Sequence, residues 1–303
     1  MKRTRIALLS LAAVFIMASC KKDNDDNPTP DPNPSPTTKE LKLSFTGLEN
    51  LGMGYAYEGW IMVDGAPVTT GTFMVDDDGS LSESSFMIDE TKLNKATAFI
   101  LTIEPYPDND PAPSDVHVLA GDFSSASADL KVDHMAALGD DFMNAMGNYI
   151  LATPTSASMT DELSGVWFLD LSSGSPAVGL DLPVLPEGWV YEGWAVKDGV
   201  PVSSGRFSMA DMADYAAPHS ATDAGAPPFP GEDFLMNAPA GLSFPTQLNG
   251  GLAVISIEPE PDNSPAPFAL KPLVGQIPMS ATDHTTYMLD NNSGSFPTGM
   301  ATR

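Results

Sequence analysis

The chain has 303 residues, 40 of them acidic and 14 basic, and its formal net charge at pH 7 is −26. This excess of negative charge excludes electrostatic attraction to nucleic acid and argues against adsorption of the protein surface to anionic lipid headgroups, because both need a basic protein surface. Cys20 is the only cysteine, so no disulfide can form within the chain. The fold must therefore depend on the burial of apolar surface.

The first 20 residues have the organisation of a bacterial secretion signal. Three basic residues among the first five precede an apolar run from Ile6 to Ala18, which is too short to cross a bilayer as a stable helix. The run ends in Met17-Ala18-Ser19-Cys20, which has the pattern of a lipoprotein lipobox. We therefore predict a lipoprotein signal peptide over residues 1–19 and lipidation of Cys20, through which the mature chain would be attached to a membrane.

Residues 20–39 are predicted to form a tether between the lipid and the folded part. The segment Lys21-Lys22-Asp23-Asn24-Asp25-Asp26 resembles the export signal of surface lipoproteins of Bacteroidota. A proline at every second position of residues 28–36 favours an extended polyproline II chain. We expect an outer-membrane lipoprotein exposed at the cell surface; the alternative is that it faces the periplasm. No later segment has the roughly 18 consecutive apolar residues that a transmembrane helix needs.

The rest of the chain contains one pattern twice. Tyr57-Glu58-Gly59-Trp60 returns as Tyr191-Glu192-Gly193-Trp194, and Ile103-Glu104-Pro105 returns as Ile257-Glu258-Pro259. The first pair of motifs is separated by 134 positions and the second pair by 154 positions. The second copy therefore has 20 additional residues between its two motifs.

This duplication predicts two units of similar plan, unit 1 over residues 40–175 and unit 2 over residues 176–303. The additional residues of unit 2 fall near 209–240, in a stretch rich in alanine, proline and aspartate that predicts a long loop. One helix is predicted, over residues 135–146, because apolar side chains recur there at a helical spacing.

Each unit is otherwise predicted to consist of strands and turns. In unit 1, Trp60–Val63 leads into Asp64-Gly65, a strong hairpin signal, and Pro67–Phe73 forms the returning strand. Ala98–Ile103 is a short apolar run typical of a central strand, whereas Pro107–Pro113 cannot pair continuously and predicts a loop. The predicted fold is all-β, with two tandem, internally duplicated β-sandwich or barrel-like units after the signal peptide and the tether.

The repeated motifs resemble the extracytoplasmic C-terminal domain of anti-sigma-K factors, the RskA family. The resemblance involves Tyr57–Phe73 with Thr102–Pro113 in unit 1, and Tyr191–Phe207 with Ser256–Pro267 in unit 2. It implies an extracellular β module that is used twice. We identify neither a cytoplasmic sigma-binding domain nor a membrane-spanning helix in this sequence, so the resemblance does not imply sequestration of a sigma factor and leaves the ligand open.

An acidic run in unit 1 is the one candidate for a metal site. Asp76, Asp77 and Asp78 resemble part of a calcium loop, in which carboxylates at alternate positions surround the ion. However, Met74 occupies a position where the full pattern needs a carboxylate, and unit 2 has no counterpart of the run. We favour a solvated acidic turn and predict no metal and no cofactor.

Two types of shared residue could act on a glycan. Trp60 and Trp194 could stack on sugar rings, and Glu104 and Glu258 belong to sets of shared carboxylates that could hydrolyse a glycosidic bond. These sets are Glu58, Glu104 and Asp108 in unit 1 and Glu192, Glu258 and Asp262 in unit 2. We favour roles in turns for the glutamates and in the core for the tryptophans, because indole burial removes so much apolar area from water. The resulting prediction is a non-enzymatic, lipid-anchored binding or scaffolding protein of the cell envelope, whose partner is an unidentified envelope protein or glycan. The alternative is an envelope protein that binds or modifies glycans with these carboxylates and aromatic residues.

Overall fold

The computed structural model describes residues 37–158, 160–222, 224–262 and 264–303. Thr37–Arg303 forms one compact unit, and its regular structure is almost entirely β, so the all-β prediction is confirmed. The predicted signal peptide and Cys20 lie outside the described residues, as does the predicted tether as far as residue 36. Among the described residues, none of the helices has the length and the apolar character required to cross a membrane.

The described residues form 19 strands and one short α-helix, together with two 3-10 turns. The helix α1 is Glu90–Lys95, and Asp89 caps its first turn by accepting the Lys92 N–H. The strands are β1 Thr38–Thr46, β2 Tyr55–Val63, β3 Ala66–Phe73, β4 Ser85–Asp89, β5 Ala98–Pro105, β6 His117–Asp122, β7 Ser127–Leu130, β8 Met146–Leu151, β9 Gly165–Trp167, β10 Leu169–Asp170, β11 Ala177–Val178, β12 Leu180–Asp181, β13 Trp189–Lys197, β14 Val200–Phe207, β15 Gly231–Asp233, β16 Leu252–Pro259, β17 Leu273–Gln276, β18 Tyr287–Asn291 and β19 Thr298–Thr302.

Eight strands surround the first part of the core. They form two four-stranded antiparallel sheets, in the orders β3-β2-β5-β6 and β4-β1-β19-β7. A bridge between Ala120 and Lys131 joins the two sheets beside β6 and β7. At the other side β3 lies next to β4, since a Cβ added to Gly71 would lie 2.9 Å from the ring of Phe86. We call this nearly closed arrangement barrel 1.

A second set of strands repeats this arrangement. Its order is β14-β13-β16-β17-β18-β8-β9-β15, with β12 also paired to β8. The two ends of the sheet approach each other near β14 and β15. There Tyr215 donates its N–H to the Arg206 carbonyl at 2.9 Å, and Gly231 donates its N–H to the Asp214 carboxylate at 3.0 Å. We call this arrangement barrel 2.

The first hairpin of each barrel has the same detailed geometry. The β2–β3 and β13–β14 pairs both shift register at one point, between Gly59 and Trp60 in the first and between the equivalent residues in the second. Asp64 and Gly65 have φ angles of 52° and 83°, as a type I′ turn requires. This confirms the hairpin that the Asp-Gly pair predicts, and Asp198-Gly199 forms the same turn in unit 2.

The eighth strand of each barrel comes from the opposite half of the chain. β8 follows β7 of barrel 1 in sequence, but it pairs with β9 and β18 of barrel 2. β19 follows β18 of barrel 2, but it pairs with β1 and β7 of barrel 1. The positions correspond, because Gly147 of β8 lies opposite Leu289 just as Gly299 of β19 lies opposite Leu130. With the predicted boundary after residue 175, unit 1 therefore supplies both β8 and β9 to barrel 2, and unit 2 supplies β19 to barrel 1.

Two predicted segments differ from the structure. Residues 135–146 form turns instead of a helix, and this prediction was wrong. Phe142 has a φ of 58°, and its N–H bonds to the Asp140 side chain at 2.6 Å, an Asx-type turn that competes with helix formation. The additional residues near 209–240 are not only loop, because they include β15, which closes barrel 2 against β9.

Engineered disulfides can test the strand exchange, since residues 37–303 contain no cysteine. Ser44→Cys with Met300→Cys, and Asn148→Cys with Met288→Cys, introduce cysteines directly opposite each other on paired strands. We expect both pairs to form intramolecular disulfides, detected as monomers by non-reducing electrophoresis and by mass spectrometry.

The matched control combines Ser44→Cys with Asn148→Cys. These two positions would be neighbours only if unit 1 used its own eighth strand, because Asn148 in β8 corresponds to Met300 in β19. We expect no disulfide in this control. Cross-linking within a monomer there, with failure of the pair at residues 44 and 300, would disprove the exchange.

Candidate functional site

A cavity of about 760 Å³ lies where loops from the two units meet. Unit 1 contributes residues 49–55 before β2 and residues 114–116 before β6, and unit 2 contributes the loop after β16. The two units touch at the cavity, because a Cβ added to Gly188 would lie 2.6 Å from the Asp115 carbonyl oxygen. A volume of this size falls within the range of small-ligand sites, about 300–1,000 Å³.

The charged residues that line this cavity are all acidic. Neither lysine nor arginine is among the described lining residues. Burial raises the pKa of Glu49 to about 7, and the nearby Lys271 partly opposes this rise. A concave surface with charges of one sign concentrates ligands of the opposite sign. The acidic lining residues are Glu49, Asp115, Glu187, Glu260 and Asp262.

Apolar side chains form a further part of the cavity lining, beside the uncharged polar residues Asn50, Ser114 and Ser264. Leu51, Tyr55 and Ile103 come from unit 1, and Phe268 comes from unit 2. Met53, in the loop before β2, also lines the cavity and has 92% of its surface exposed. The cavity therefore suits a ligand that is both cationic and partly apolar.

A chain of buried hydrogen bonds lies next to the cavity in unit 2. Trp194 donates its indole N–H to the Ser256 hydroxyl at 2.8 Å, and that hydroxyl donates to Glu258 Oε1. The Phe268 N–H also donates to Glu258 Oε1, at 2.9 Å. On the neighbouring strand, Ser203 donates its hydroxyl to Glu192 Oε1. These bonds satisfy polar groups that would otherwise be costly to bury.

Unit 1 contains the same chain of hydrogen bonds. Trp60 donates to the Thr102 hydroxyl at 2.9 Å, and Thr102 donates to Glu104 Oε1 at 2.5 Å. The Ser114 N–H also donates to Glu104 Oε1, at 2.9 Å. On the neighbouring strand, the Thr69 hydroxyl donates to Glu58 Oε1. Because the network recurs in both units, it is part of the shared fold, and the features that differ between units mark the candidate site.

One such difference is a group of three carboxylates in unit 2. Glu192, Glu258 and Asp262 each place one oxygen within 4.8 Å of the others. Burial raises the pKa of Glu258 to about 8 and also raises the pKa of Glu192. Glu258 Oε2 is buried and accepts no hydrogen bond from any described residue. No equivalent group of three occurs within this spacing elsewhere in the described residues.

The predicted tryptophan and glutamate positions lie inside the protein. Trp60 and Trp194 each expose 2% of their surface, and an indole with so little exposed surface offers no face to a sugar. Glu104 and Glu258 expose 2% and 0%. Of these four residues, only Glu258 belongs to the carboxylate group that adjoins the cavity.

The acidic run of unit 1 forms an exposed turn. Asp76 Oδ1 accepts the backbone N–H groups of Asp78 at 3.0 Å and of Ser80 at 2.8 Å. Asp77 accepts the Asn50 side-chain amide at 2.8 Å. The carboxylates of Asp76, Asp77 and Asp78 do not form a group of three within 4.8 Å.

Sequence reasoning did not identify Glu49 as a site residue. Its counterpart in unit 2 is Pro183, so the comparison of repeats that singled out the shared carboxylates passed over it. Asp262 is a shared carboxylate, but nothing local indicated that it faces a cavity. Comparison with protein-family models, with curated proteins and with solved structures finds no match for this chain.

Replacing Ser256 tests the buried network. Ser256→Ala leaves the Trp194 indole N–H without an acceptor and removes one donor from Glu258. We expect the free energy of unfolding to fall by about 2 to 5 kcal/mol, since each unsatisfied buried group costs about 1–3 kcal/mol. Urea denaturation measures this change. The control Ser44→Ala, at an exposed strand position, should change it by less than about 0.5 kcal/mol; equal effects would contradict the network's role.

Proposed function

We propose that this protein is a lipid-anchored binding protein of the cell envelope and that its ligand site is the cavity between the two units. The observation that supports the proposal is the lining of that cavity, with five carboxylates and no basic residue among the described lining residues. The lipobox ending at Cys20 and the proline-rich tether support a location at the outer membrane, with the binding unit held away from the lipid.

The lining favours a lysine- or arginine-containing segment of another envelope or extracellular protein. A basic side chain would meet Glu49 and Asp262 on the cavity wall, and the apolar part of the segment would contact residues such as Leu51 and Phe268. Desolvation inside the cavity strengthens such charge pairs. A neutral glycan would gain less from this lining, and Trp60 and Trp194 are buried.

A binding role without catalysis is supported by the state of the shared carboxylates. Glu104 and Glu258 are almost completely buried, and serine or threonine hydroxyls with backbone amides occupy one oxygen of each. A general acid or nucleophile must come within hydrogen-bond reach of its substrate. The resemblance to the exterior domain of anti-sigma-K factors agrees with a role in contact with a partner, and it remains a prediction.

Short fluorescent peptides that alternate lysine with leucine provide a direct test on residues 37–303. We expect saturable binding that weakens at high salt. Affinity should rise from pH 6 to pH 8, because Glu49 has a pKa of about 7 and its ionised form attracts the cation. Glu49→Gln with Glu260→Gln should weaken binding by about tenfold or more, measured by fluorescence anisotropy.

The control for this test removes the same charge elsewhere. Glu83→Gln with Asp211→Asn neutralises two exposed carboxylates outside the cavity and should leave the affinity within about twofold. Glutamate-containing peptides and neutral oligosaccharides serve as competitors. Preferential binding of an oligosaccharide that is unaffected by the change at Glu49 would refute the proposal in favour of the glycan-binding alternative.

Lipidation is tested in cells that express the full chain. Cys20→Ala removes the thiol that would be acylated, so we expect loss of label from a clickable fatty acid and accumulation of the unprocessed precursor. Ser19→Ala, which keeps a small residue beside the cysteine, should retain the label. Label that persists in Cys20→Ala would show that the membrane anchor lies elsewhere.

A further inference from the structure

We propose that Glu192, Glu258 and Asp262 form a calcium site at the cavity wall of unit 2. This goes beyond the proposed binding of a basic segment and involves a different set of side chains, with Asp262 common to both. Three carboxylate oxygens lie within 4.8 Å of one another, which leaves a position about 2.3–2.6 Å from each after small adjustments, the usual Ca–O distance. Mg²⁺ needs shorter distances and stricter octahedral geometry.

A second observation points to a ligand at this position. Glu258 exposes 0% of its surface, and Oε2 accepts no hydrogen bond from any described residue. The other oxygen of the same carboxylate accepts two hydrogen bonds, from the Ser256 hydroxyl and the Phe268 N–H. A buried carboxylate oxygen without a partner is costly, and a cation shared with Glu192 and Asp262 would remove that cost.

The surroundings are built as a metal site requires. The Ser203 hydroxyl donates a hydrogen bond to Glu192, and the Ser256 hydroxyl donates one to Glu258. These bonds orient the two carboxylates, as outer-shell partners orient metal ligands. Asp262 lines the cavity, so an ion has an entry path and water molecules can complete its coordination.

The basic residues near the carboxylates do not neutralise all of their negative charge, which favours binding of a cation. Arg206 lies close enough to Glu192 to favour its ionised form, and Lys271 interacts with both Glu258 and Glu49. The two positive charges of these basic residues are fewer than the four negative charges that Glu49, Glu192, Glu258 and Asp262 carry when ionised. The site is therefore still acidic when all six groups are charged.

Unit 1 provides a comparison within the same molecule. Glu58, Glu104 and Asp108 occupy the equivalent sequence positions, but they do not form a group within 4.8 Å. Neither Glu58 nor Glu104 has a buried oxygen without a hydrogen-bond partner. The proposal is therefore specific to unit 2.

Calorimetric titration of residues 37–303 with CaCl₂ alone, at pH 7.5, tests the proposal. We expect one ion per chain with a Kd of about 10⁻⁵ to 10⁻³ M, and weaker binding of MgCl₂. Glu258→Gln and Asp262→Asn should each weaken calcium binding at least about tenfold. The control Glu104→Gln with Asp108→Asn makes the same chemical changes in unit 1 and should retain one ion with unchanged affinity.

The outcomes separate this proposal from the previous one. Circular dichroism checks folding, and Asp262→Asn, at a half-buried position, decides the matter if Glu258→Gln does not fold. Glu49→Gln should retain calcium even where it loses the basic peptide. The absence of calcium binding by the unchanged chain, full affinity in Asp262→Asn, or equal loss in the unit 1 control would each overturn the calcium site, and the first result would indicate that protons neutralise the triad.

Discussion

The exchange of β8 and β19 is the constraint on which the rest of the structure depends. Without an eighth strand, β1 and β7 in barrel 1 would have unpaired backbone groups facing each other, and so would β9 and β18 in barrel 2. Buried backbone N–H and C=O groups must be paired. Because each half supplies the strand that the other needs, neither barrel can be completed alone.

This mutual dependence also determines where the cavity lies. The loops before β2 and after β16 meet at the cavity, and Gly188 packs so close to Asp115 that an added Cβ would lie 2.6 Å from the Asp115 carbonyl oxygen. A cavity held by strand pairing is more precisely shaped than one between two domains joined by a flexible linker. The acidic lining can therefore present its carboxylates to a ligand in a preorganised arrangement.

The duplication separates what the fold needs from what a site needs. The tryptophan–hydroxyl–glutamate network occurs in both units with nearly the same distances, which indicates a shared solution for polar groups inside a sheet. Glu49 has no acidic counterpart, and among the described residues the carboxylate triad converges in only one unit. Glu49 thus distinguishes unit 1 and the triad distinguishes unit 2, and the two proposals rest on these departures from symmetry.

The sequence by itself determined the local elements of this protein. The Asp-Gly turns, the strands on either side of them and the all-β class follow from turn chemistry and short-range patterning, which neighbouring residues decide. The helix over 135–146 failed because its apolar spacing competes with Asp140, whose side chain bonds the backbone in a turn. Only the tertiary structure decided which barrel receives β8 and which receives β19. The gap between β1 and β7 in barrel 1 and the gap between β9 and β18 in barrel 2 have similar strand edges, so either strand could pair in either gap. Only the tertiary structure brought Glu49 to the same cavity as Asp262, because contacts between residues so far apart in the chain depend on how the two halves pack.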